Sequence, residues 1–529
     1  MSPERRVPVA ALAVLAVLAC HDTSSPLVIG GGGSSPRPTL SPAYRPSGHA
    51  AAGDVFVHLF EWPWADVATE CEQVLGPAGV AAVQVSPPQE HSITPTHDWS
   101  ERYQPVRYDI ARSRSGDSTA FVNMVSRCKG AGVGIYVDAV INHMTNSPSP
   151  GTGSAGSPYA KFVYPGLYDS TDFHWPECTV TDYTNAANVQ DCELLGLPDL
   201  DTELPKVRDS IAAYLTKLTR LGVAGFRIDA AKHIQQVSLD DILAVVDSTA
   251  KAEGRPIPYW FLEVSTGPGE ALGPGDYYGE AYGSGGSADI TEFIFQGVGD
   301  KFLGTGGQHL SQLDPNGTQG NQFSPGAWGL MPADKAVVFL ENHDTQHDAG
   351  RISYREGNVF RVANVWMLAQ PYGYPSILSS FAFVRPQENS MGPLSDAGGW
   401  TRPVNCASSL ETAADDQFVC EHRDPYILRM VAFRKYVAGT DVNHWWDDGS
   451  NAIAFSRGAK GFVAISRESA VVTATVATGL PAGSYCDLLT GGLLAAACAG
   501  TTVAVDSTGA VQLQLQPNTA IAIDGANKL

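Results

Sequence analysis

One pattern of apolar and polar positions recurs three times in the first half of the chain: "GPAGVAAVQVSPP" (76–88), "CKGAGVGIYVDAVINH" (128–143) and "TRLGVAGFRIDAAKH" (219–233). Each copy has a Gly-Val entry at Gly79, Gly132 or Gly222, runs through a short β-branched stretch and ends in polar residues. Before the third copy, Val207, Ile211, Leu215, Leu218 and Leu221 recur at helical spacing, and Gly222 sits where a helix C-cap belongs. Helix, glycine stop, strand and polar loop, repeated, is the pattern of parallel β/α units. "DVFVHLFEW", "YWFLEVS", "DITEFIF", "KAVVFLENHD" and "YPSILSSF" read as five further strands, which brings the total to eight. Eight alternating units predict an α/β fold closed into a (β/α)8 TIM barrel rather than an open sheet.

Two regions break this rhythm. Residues 145–203 are rich in Gly, Pro, Ser and Asp and read as a loop-rich domain inserted after the third strand. Beyond 436 the helical spacing stops, and "NAIAFSRGAKGFVAISRES", "AVVTATVATGLPAGSYCDLL" and "TVAVDSTGAVQLQLQ" alternate at period two between glycine turns. That is an antiparallel β domain of sandwich type over 437–529. The barrel is then built from 51–144 and 204–436.

The N-terminus follows different rules. Arg5 and Arg6 precede an apolar run, Val7–Ala19, that falls short of the roughly 20 residues a membrane span needs. Residues 1–20 read as a signal peptide, and the ending "VLAC" resembles a bacterial lipoprotein signal with Cys20 as the lipidated residue. Residues 21–50, rich in Ser, Gly and Pro, read as a flexible tether. The expected location is exported, extracellular or in the cell envelope, with a membrane touched only through that lipid. Nine cysteines are an odd number, and setting Cys20 aside leaves an even set, which in an exported chain suggests disulfides. A net charge of −21 argues against nucleic-acid binding, which rests on clustered Lys and Arg.

In a β/α barrel the reactive groups sit at the C-terminal ends of the strands. The polar strand-end residues are Asp138, Arg227 with Asp229, Glu263, and Asn342 with Asp344. Period two puts Val223, Gly225, Arg227 and Asp229 on one face, toward the barrel interior, and Phe226 and Ile228 on the other. Carboxylates from several strands then converge on one cleft, and a pair about 5–5.5 Å apart is what retaining glycoside hydrolysis requires. A single Arg227–Asp229 pair would read as an ordinary salt bridge; four polar strand ends together do not. "HDTQH" spaces His343 and His347 at i and i+4 but lacks the glutamate of H-E-x-x-H, and neither a G-x-S-x-G elbow nor a Walker A loop occurs.

"DAVINH" (138–143), "GFRIDAAKH" (225–233), "FLEVS" (261–265) and "FLENHD" (339–344) resemble the four ordered regions of the α-amylase family of glycoside hydrolases. "VQVSPPQEH", "ERYQPVRYDI", "VCEHR" and "PAGSYCD" narrow the resemblance to the animal and actinobacterial type, from about residue 53 to the C-terminus. It implies a secreted, monomeric endo-hydrolase of α-1,4-glucosidic bonds in starch and glycogen. Asp229 would be the nucleophile, Glu263 the acid/base and Asp344 the carboxylate that stabilises the transition state. Arg227 would hold Asp229 ionised, and Glu263 would lie in a less hydrated place so that it starts protonated. Trp99, Tyr103, Gln104, Asp138, His143, Lys232, His233 and His343 match residues on the substrate side. A structural calcium would take the Asn142 side chain, Asp199 and the main-chain carbonyls of Gln190 and His233, an all-oxygen set that suits a hard cation. The resemblance also pairs Cys71 with Cys128, Cys178 with Cys192, Cys406 with Cys420 and Cys486 with Cys498.

Three departures matter. An activating chloride would need Arg227, Asn342 and a second basic residue where Ser376 stands, so no chloride dependence is expected. Ser100 replaces a second tryptophan, which removes one stacking platform and predicts weaker affinity for long glucans. "NHDTQHDAGRISY" lacks a glycine-rich mobile loop. Two other readings stay open: a maltooligosaccharide-forming or transglycosylating enzyme on the same scaffold, and a non-catalytic glucan-binding lipoprotein.

Overall fold

The computed structural model of the protein describes residues 46–278, 288–318, 322–414 and 417–529. Residues 1–45, and with them the signal sequence, Cys20 and most of the tether, lie outside the described residues. Eight strands, β1 (Phe56–Leu59), β2 (Ala82–Val85), β3 (Gly134–Ala139), β4 (Gly225–Ile228), β5 (Tyr259–Leu262), β6 (Asp289–Thr291), β7 (Ala336–Val338) and β8 (Tyr374–Ser379), pair in chain order. All are parallel, and β8 closes onto β1. The predicted (β/α)8 barrel is therefore the fold. Helices α1 (Trp64–Glu70), α2 (Ser118–Gly130), α3 (Pro205–Leu221), α4 (Gln236–Ala252), α5 (Asn358–Ala369) and α6 (Pro425–Tyr436) are its main outer helices.

The local reasons are legible around β4. Helix α3 starts on Pro205, whose missing N–H costs nothing at a first helical position, and buries Val207, Ile211, Leu215 and Leu218. It stops at Gly222, whose φ of 102° lies in the left-handed region and whose N–H closes onto the carbonyls of Leu218 and Thr219. The strand then turns Phe226 outward to stack on Trp260 at 4.9 Å. Gly225 faces the interior, where an added Cβ would sit 2.8 Å from the Tyr136 ring and 2.6 Å from the Tyr259 carbonyl. Only glycine fits there, two residues below Arg227.

Two expectations need correction. "DITEFIF" contributes only Asp289–Thr291 to the sheet; Phe293–Gln296 coil into a 3-10 turn capped by Glu292, which lets Phe295 reach the core. The tether, read as 21–50, is too long: His49–Ala52 form a helical turn. His49 stacks on Tyr374 at 4.3 Å and pairs with Asp54 at 2.9 Å. Composition alone does not reveal that the barrel floor offers His49 a seat.

Between β3 and α3 the chain holds only short pairings and one helix longer than a single turn, Ala186–Asp191, with Cys178 bonded to Cys192. This stretch is fastened to the barrel rim by a bridge between His143 and Asp199 and by Leu200 N–H donating to Asn142 O. The C-terminal part forms two antiparallel sheets. One has the order β9 (Val442–Asp447), β10 (Ala452–Arg457), β11 (Gly461–Ser466), β16 (Thr519–Asp524). The other has the order β12 (Val472–Ala477), β15 (Ala510–Leu515), β14 (Thr502–Val505), β13 (Gly483–Cys486). Phe462, Val476, Tyr485, Leu513 and Ile523 fill the space between them. The remaining three disulfides join Cys71 to Cys128, Cys406 to Cys420 and Cys486 to Cys498. Among the described residues no helix is long and apolar enough to cross a membrane.

Candidate active site

The strand ends meet around one guanidinium. Arg227, level with Asp138 in the β3–β4 register, points up the barrel axis. Its Nη1 lies 2.6 Å from Asp138 Oδ1 and 2.9 Å from Asp229 Oδ1, and its Nη2 lies 2.7 Å from Glu263 Oε1. Tyr103 Oη donates to the second oxygen of Asp138 at 3.0 Å, and Gln84 Nε2 approaches the same oxygen at 3.4 Å. The other Glu263 oxygen accepts the Ala230 N–H at 2.8 Å. Ala230 holds φ 48°, a left-handed conformation costly for alanine, and this turn aims its N–H at Glu263. Asn342 Oδ1 accepts the N–H groups of Asp344 and Thr345, which sets the turn that presents Asp344 beside His343 Nε2 at 3.4 Å. Asp138, Asp229, Glu263 and Asp344, which come from four strand ends, are thus drawn to one mouth.

Burial and charge act differently on the two carboxyl groups. Burial pushes the Asp229 carboxyl well above its usual range; Arg227 works against this, and the neighbouring Glu263, Asp138 and Asp344 reinforce it. Arg227 is the positive charge that opposes this shift. One expectation is corrected: Glu263 is not in the drier place, since its side chain is 15 % exposed against 10 % for Asp229. Both face the cleft, and Glu263 is the nearer to solvent. Arg227 itself is held firmly charged, since the carboxylates outweigh its burial.

Aromatic rings and neutral histidines line the walls. Tyr103 stacks on His343 with centroids 5.0 Å apart and planes 4° apart, and Trp99 stacks on His347 at 5.1 Å. Trp99 Nε1 donates to Asn389 O at 2.9 Å. His143 shares a hydrogen bond with Tyr103 O at 2.9 Å, and burial lowers its pKa to about 4. His233 shares one with Val189 O at 2.8 Å and is lowered likewise to about 4. Lys232 pairs with Glu270 and lies 4.8 Å over the Tyr183 ring. Gln104 spends its side-chain oxygen on Thr145 and Ser147, so it clasps the inserted stretch.

Of the four predicted calcium ligands, Asn142 and Asp199 are buried and 3.2 Å apart, amide nitrogen to carboxylate. Burial pushes the Asp199 carboxyl up to about 7, against the pull of His174 and the Asn142 amide. Gln190 and His233 lie on two segments that touch each other, through His233 and Val189 O. Asp191, next to Gln190, is close enough to act on Asp199, and His143, next to Asn142, is close enough to act on His233. The donor set therefore fits a hard cation. Sequence reading missed His174, whose Nδ1 lies 2.7 Å from Asp199 and whose Nε2 lies 3.1 Å from Glu203. His174 sits in loop sequence where no periodicity singles it out.

Sequence reading also missed the support behind Trp99 and Tyr103. Their one 3-10 turn, Trp99–Tyr103, carries Glu101 and Arg102 on its hidden side. Glu101 accepts from Thr94 N at 2.9 Å and lies 3.4 Å from Arg114, whose guanidinium also holds Pro393 O and Ser395. Arg102 bonds Glu61, Ser115 and Pro87 O. A "WSERYQP" read only for its aromatics passes over two buried charges that fix them.

Comparisons agree with this geometry. A family model described as the α-amylase catalytic domain matches residues 78–257, and one described as the α-amylase C-terminal all-beta domain matches residues 444–525. An α-amylase of Streptomyces violaceus is 42% identical over 470 residues, which is 89% of this chain and 74% of that one. An α-amylase of Tenebrio molitor is 40% identical over 474 residues, 88% of this chain and 95% of its own. The crystal structure of a point mutant of α-amylase I from Eisenia fetida with maltohexaose superimposes with a TM-score of 0.80. It is 35% identical, covering 92% of this chain and 99% of that one.

Proposed function

The chain belongs to the α-amylase family of glycoside hydrolases, and from that premise we propose that it is an exported enzyme hydrolysing internal α-1,4-glucosidic bonds of starch and glycogen with retention of configuration. The observation that carries the reading is the single Arg227 guanidinium ion-paired with Asp229 and Glu263 in the barrel mouth, with Asp344 presented alongside.

In this reading the Asp229 carboxylate attacks the anomeric carbon as the bond to the leaving oxygen breaks, and Glu263 delivers its proton to that oxygen. The resulting glycosyl ester on Asp229 is opened by water, whose proton returns to Glu263. Arg227 keeps the two carboxyl groups in mutual register, and Asp138, pinned by Tyr103, keeps Arg227 in place. Asp344 and His343 bond sugar hydroxyls at the reacting ring, and His143 does so while neutral. Trp99 and Tyr103 shape the side that receives the glucan, and Lys232 with Glu270 flanks the departing chain. A calcium ion, when bound by Asn142, Asp199 and the carbonyls of Gln190 and His233, supplies a structural clasp between the inserted stretch and the barrel. Export fits the four disulfides, and anchoring through a lipid on Cys20 is checked by mass spectrometry of the mature N-terminus.

Glu263→Gln and Asp229→Asn test the reading. Each should fold normally and lose roughly a thousandfold or more of starch hydrolysis. Either variant near wild-type activity would overturn the assignment. Proton NMR of the first-formed product should show the α anomer; the β anomer would refute retention.

A further inference from the structure

Of the ten tryptophans, nine are buried or partly buried, and Trp175 alone is exposed, at 55 %. It lies in the inserted stretch, on the segment that follows Phe173. Its ring is fixed: the indole N–H donates to Ser170 O at 2.6 Å, and the ring meets Phe162 at 5.0 Å. Phe162 is itself presented by a tight turn at φ 61°, closed by reciprocal hydrogen bonds between Ala160 and Val163, and Val163 is 49 % exposed. At the edge of this apolar floor stands a polar rim. Lys161 Nζ lies 4.9 Å over the Phe162 ring and 2.6 Å from Glu177 Oε1, whose side chain is half exposed.

A fixed aromatic floor beside an amine and a carboxylate suits a pyranose ring. Such a ring has a flat C–H face to stack and a rim of hydroxyls that both donate and accept. The acidic surroundings, with Asp169, Asp172, Glu177 and Glu193 nearby and a chain charge of −21, do not suit a phosphate polymer or an anionic membrane. Backbone contacts also tie the segment that carries the patch to the cleft. The preceding residue, His174, donates its N–H to Asp199 O, and Asp199 bridges to His143 at the cleft.

We propose that Trp175, with Phe162 and the Lys161–Glu177 pair, forms a second, non-catalytic binding site for a stretch of α-glucan on the outer wall of the inserted region. The inference rests on the reading of α-glucan as substrate, and extends it to a place the catalytic residues do not reach. A chain held there would keep an insoluble glucan beside the cleft between cleavage events.

The test is adsorption to granular starch, measured in a Glu263→Gln background so that the ligand is not consumed, alongside hydrolysis of maltopentaose by the active enzyme. Trp175→Ala should weaken adsorption about three- to tenfold, the range of one lost stacking contact, and leave maltopentaose hydrolysis and the melting temperature unchanged. Trp175→Tyr should restore most of the adsorption. Unchanged adsorption in Trp175→Ala, with normal hydrolysis, would overturn the second site and leave the functional reading intact. An equal fall in adsorption and in maltopentaose turnover would also overturn it, since the residue would then act through the cleft. A wild-type enzyme that does not cleave maltopentaose would overturn both readings.

Discussion

Arg227 Nη2 stands 2.7 Å from Glu263 Oε1. The residue proposed as acid and the residue proposed as nucleophile therefore share one guanidinium, because Nη1 of the same side chain is 2.9 Å from Asp229. The arginine is buried among three carboxylates, and its planar fork serves two of them through separate nitrogens.

A lysine cannot reproduce that fork. Arg227→Lys should keep the net charge, and so most of the stability, yet lose at least about a hundredfold in kcat/KM, because one ammonium cannot register both carboxyl groups. Arg227→Gln should in addition lower stability by about 3–5 kcal/mol, the cost of leaving buried carboxylates uncompensated. Steady-state kinetics on a defined maltooligosaccharide, with thermal unfolding of both variants, separates the two effects.

Asp199 ties the inserted stretch to the barrel, and its carboxylate lacks positive charge apart from His174. A chelator should therefore lower the unfolding midpoint of the wild-type protein by several degrees, as expected when a ligand that binds only the folded state is removed. Asp199→Asn should start lower and no longer respond to the chelator. An undiminished response in that variant would place the cation elsewhere.

Glu101 gives a pH dependence of definite sign. Burial pushes its carboxyl up to about 7 from 4.5, against the pull of Arg114 and the Thr94 N–H. Glu61, Arg102, Arg114 and His97 are the charged or titratable groups that face it. The folded state holds this proton more tightly than the unfolded chain, so the stability contribution is complete below pH 4.5 and is lost as pH rises toward 7. Glu101→Gln should flatten that loss, by up to about 3 kcal/mol between pH 4.5 and pH 8. Denaturant unfolding of both proteins across this range is the measurement. Because the same turn carries Trp99 and Tyr103, the variant should alter KM for long glucans more than kcat.

The barrel was legible because its signal is repeated. Three Gly-Val strands and a helix spaced Val207, Ile211, Leu215, Leu218 announce parallel β/α units before any side-chain contact is known. Period two sufficed to send Arg227 and Asp229 into the mouth, and the structure finds both on the interior face. What the sequence did not disclose lies in pairings between distant, aperiodic segments. His174 meets Asp199 across 25 residues of loop, and Arg114 joins Glu101 to Pro393 across 279. Neither has a spacing rule. The hydration order of Asp229 and Glu263 was also hidden, because it depends on how deep each carboxylate sits below the rim, which residue type does not encode.

Ser376 bears on the last prediction. With Arg227, Asn342, His58, Gln84 and Thr291 it lines a small cavity inside the barrel, at the place where an anion would need two cationic donors. The terminal nitrogens of Arg227 are already ion-paired with Asp138, Asp229 and Glu263. Asn342 turns its side-chain oxygen to the N–H groups of Asp344 and Thr345, a cap that holds a proposed catalytic residue. Serine adds a hydroxyl but no charge, so a chloride there would lie beside carboxylates with one already engaged arginine to balance it. Adding chloride to enzyme prepared without it should therefore change kcat/KM by less than about twofold, at constant ionic strength so that screening is held fixed. A several-fold activation that saturates with chloride, and is absent with a larger anion at the same ionic strength, would show that this cavity binds the ion after all.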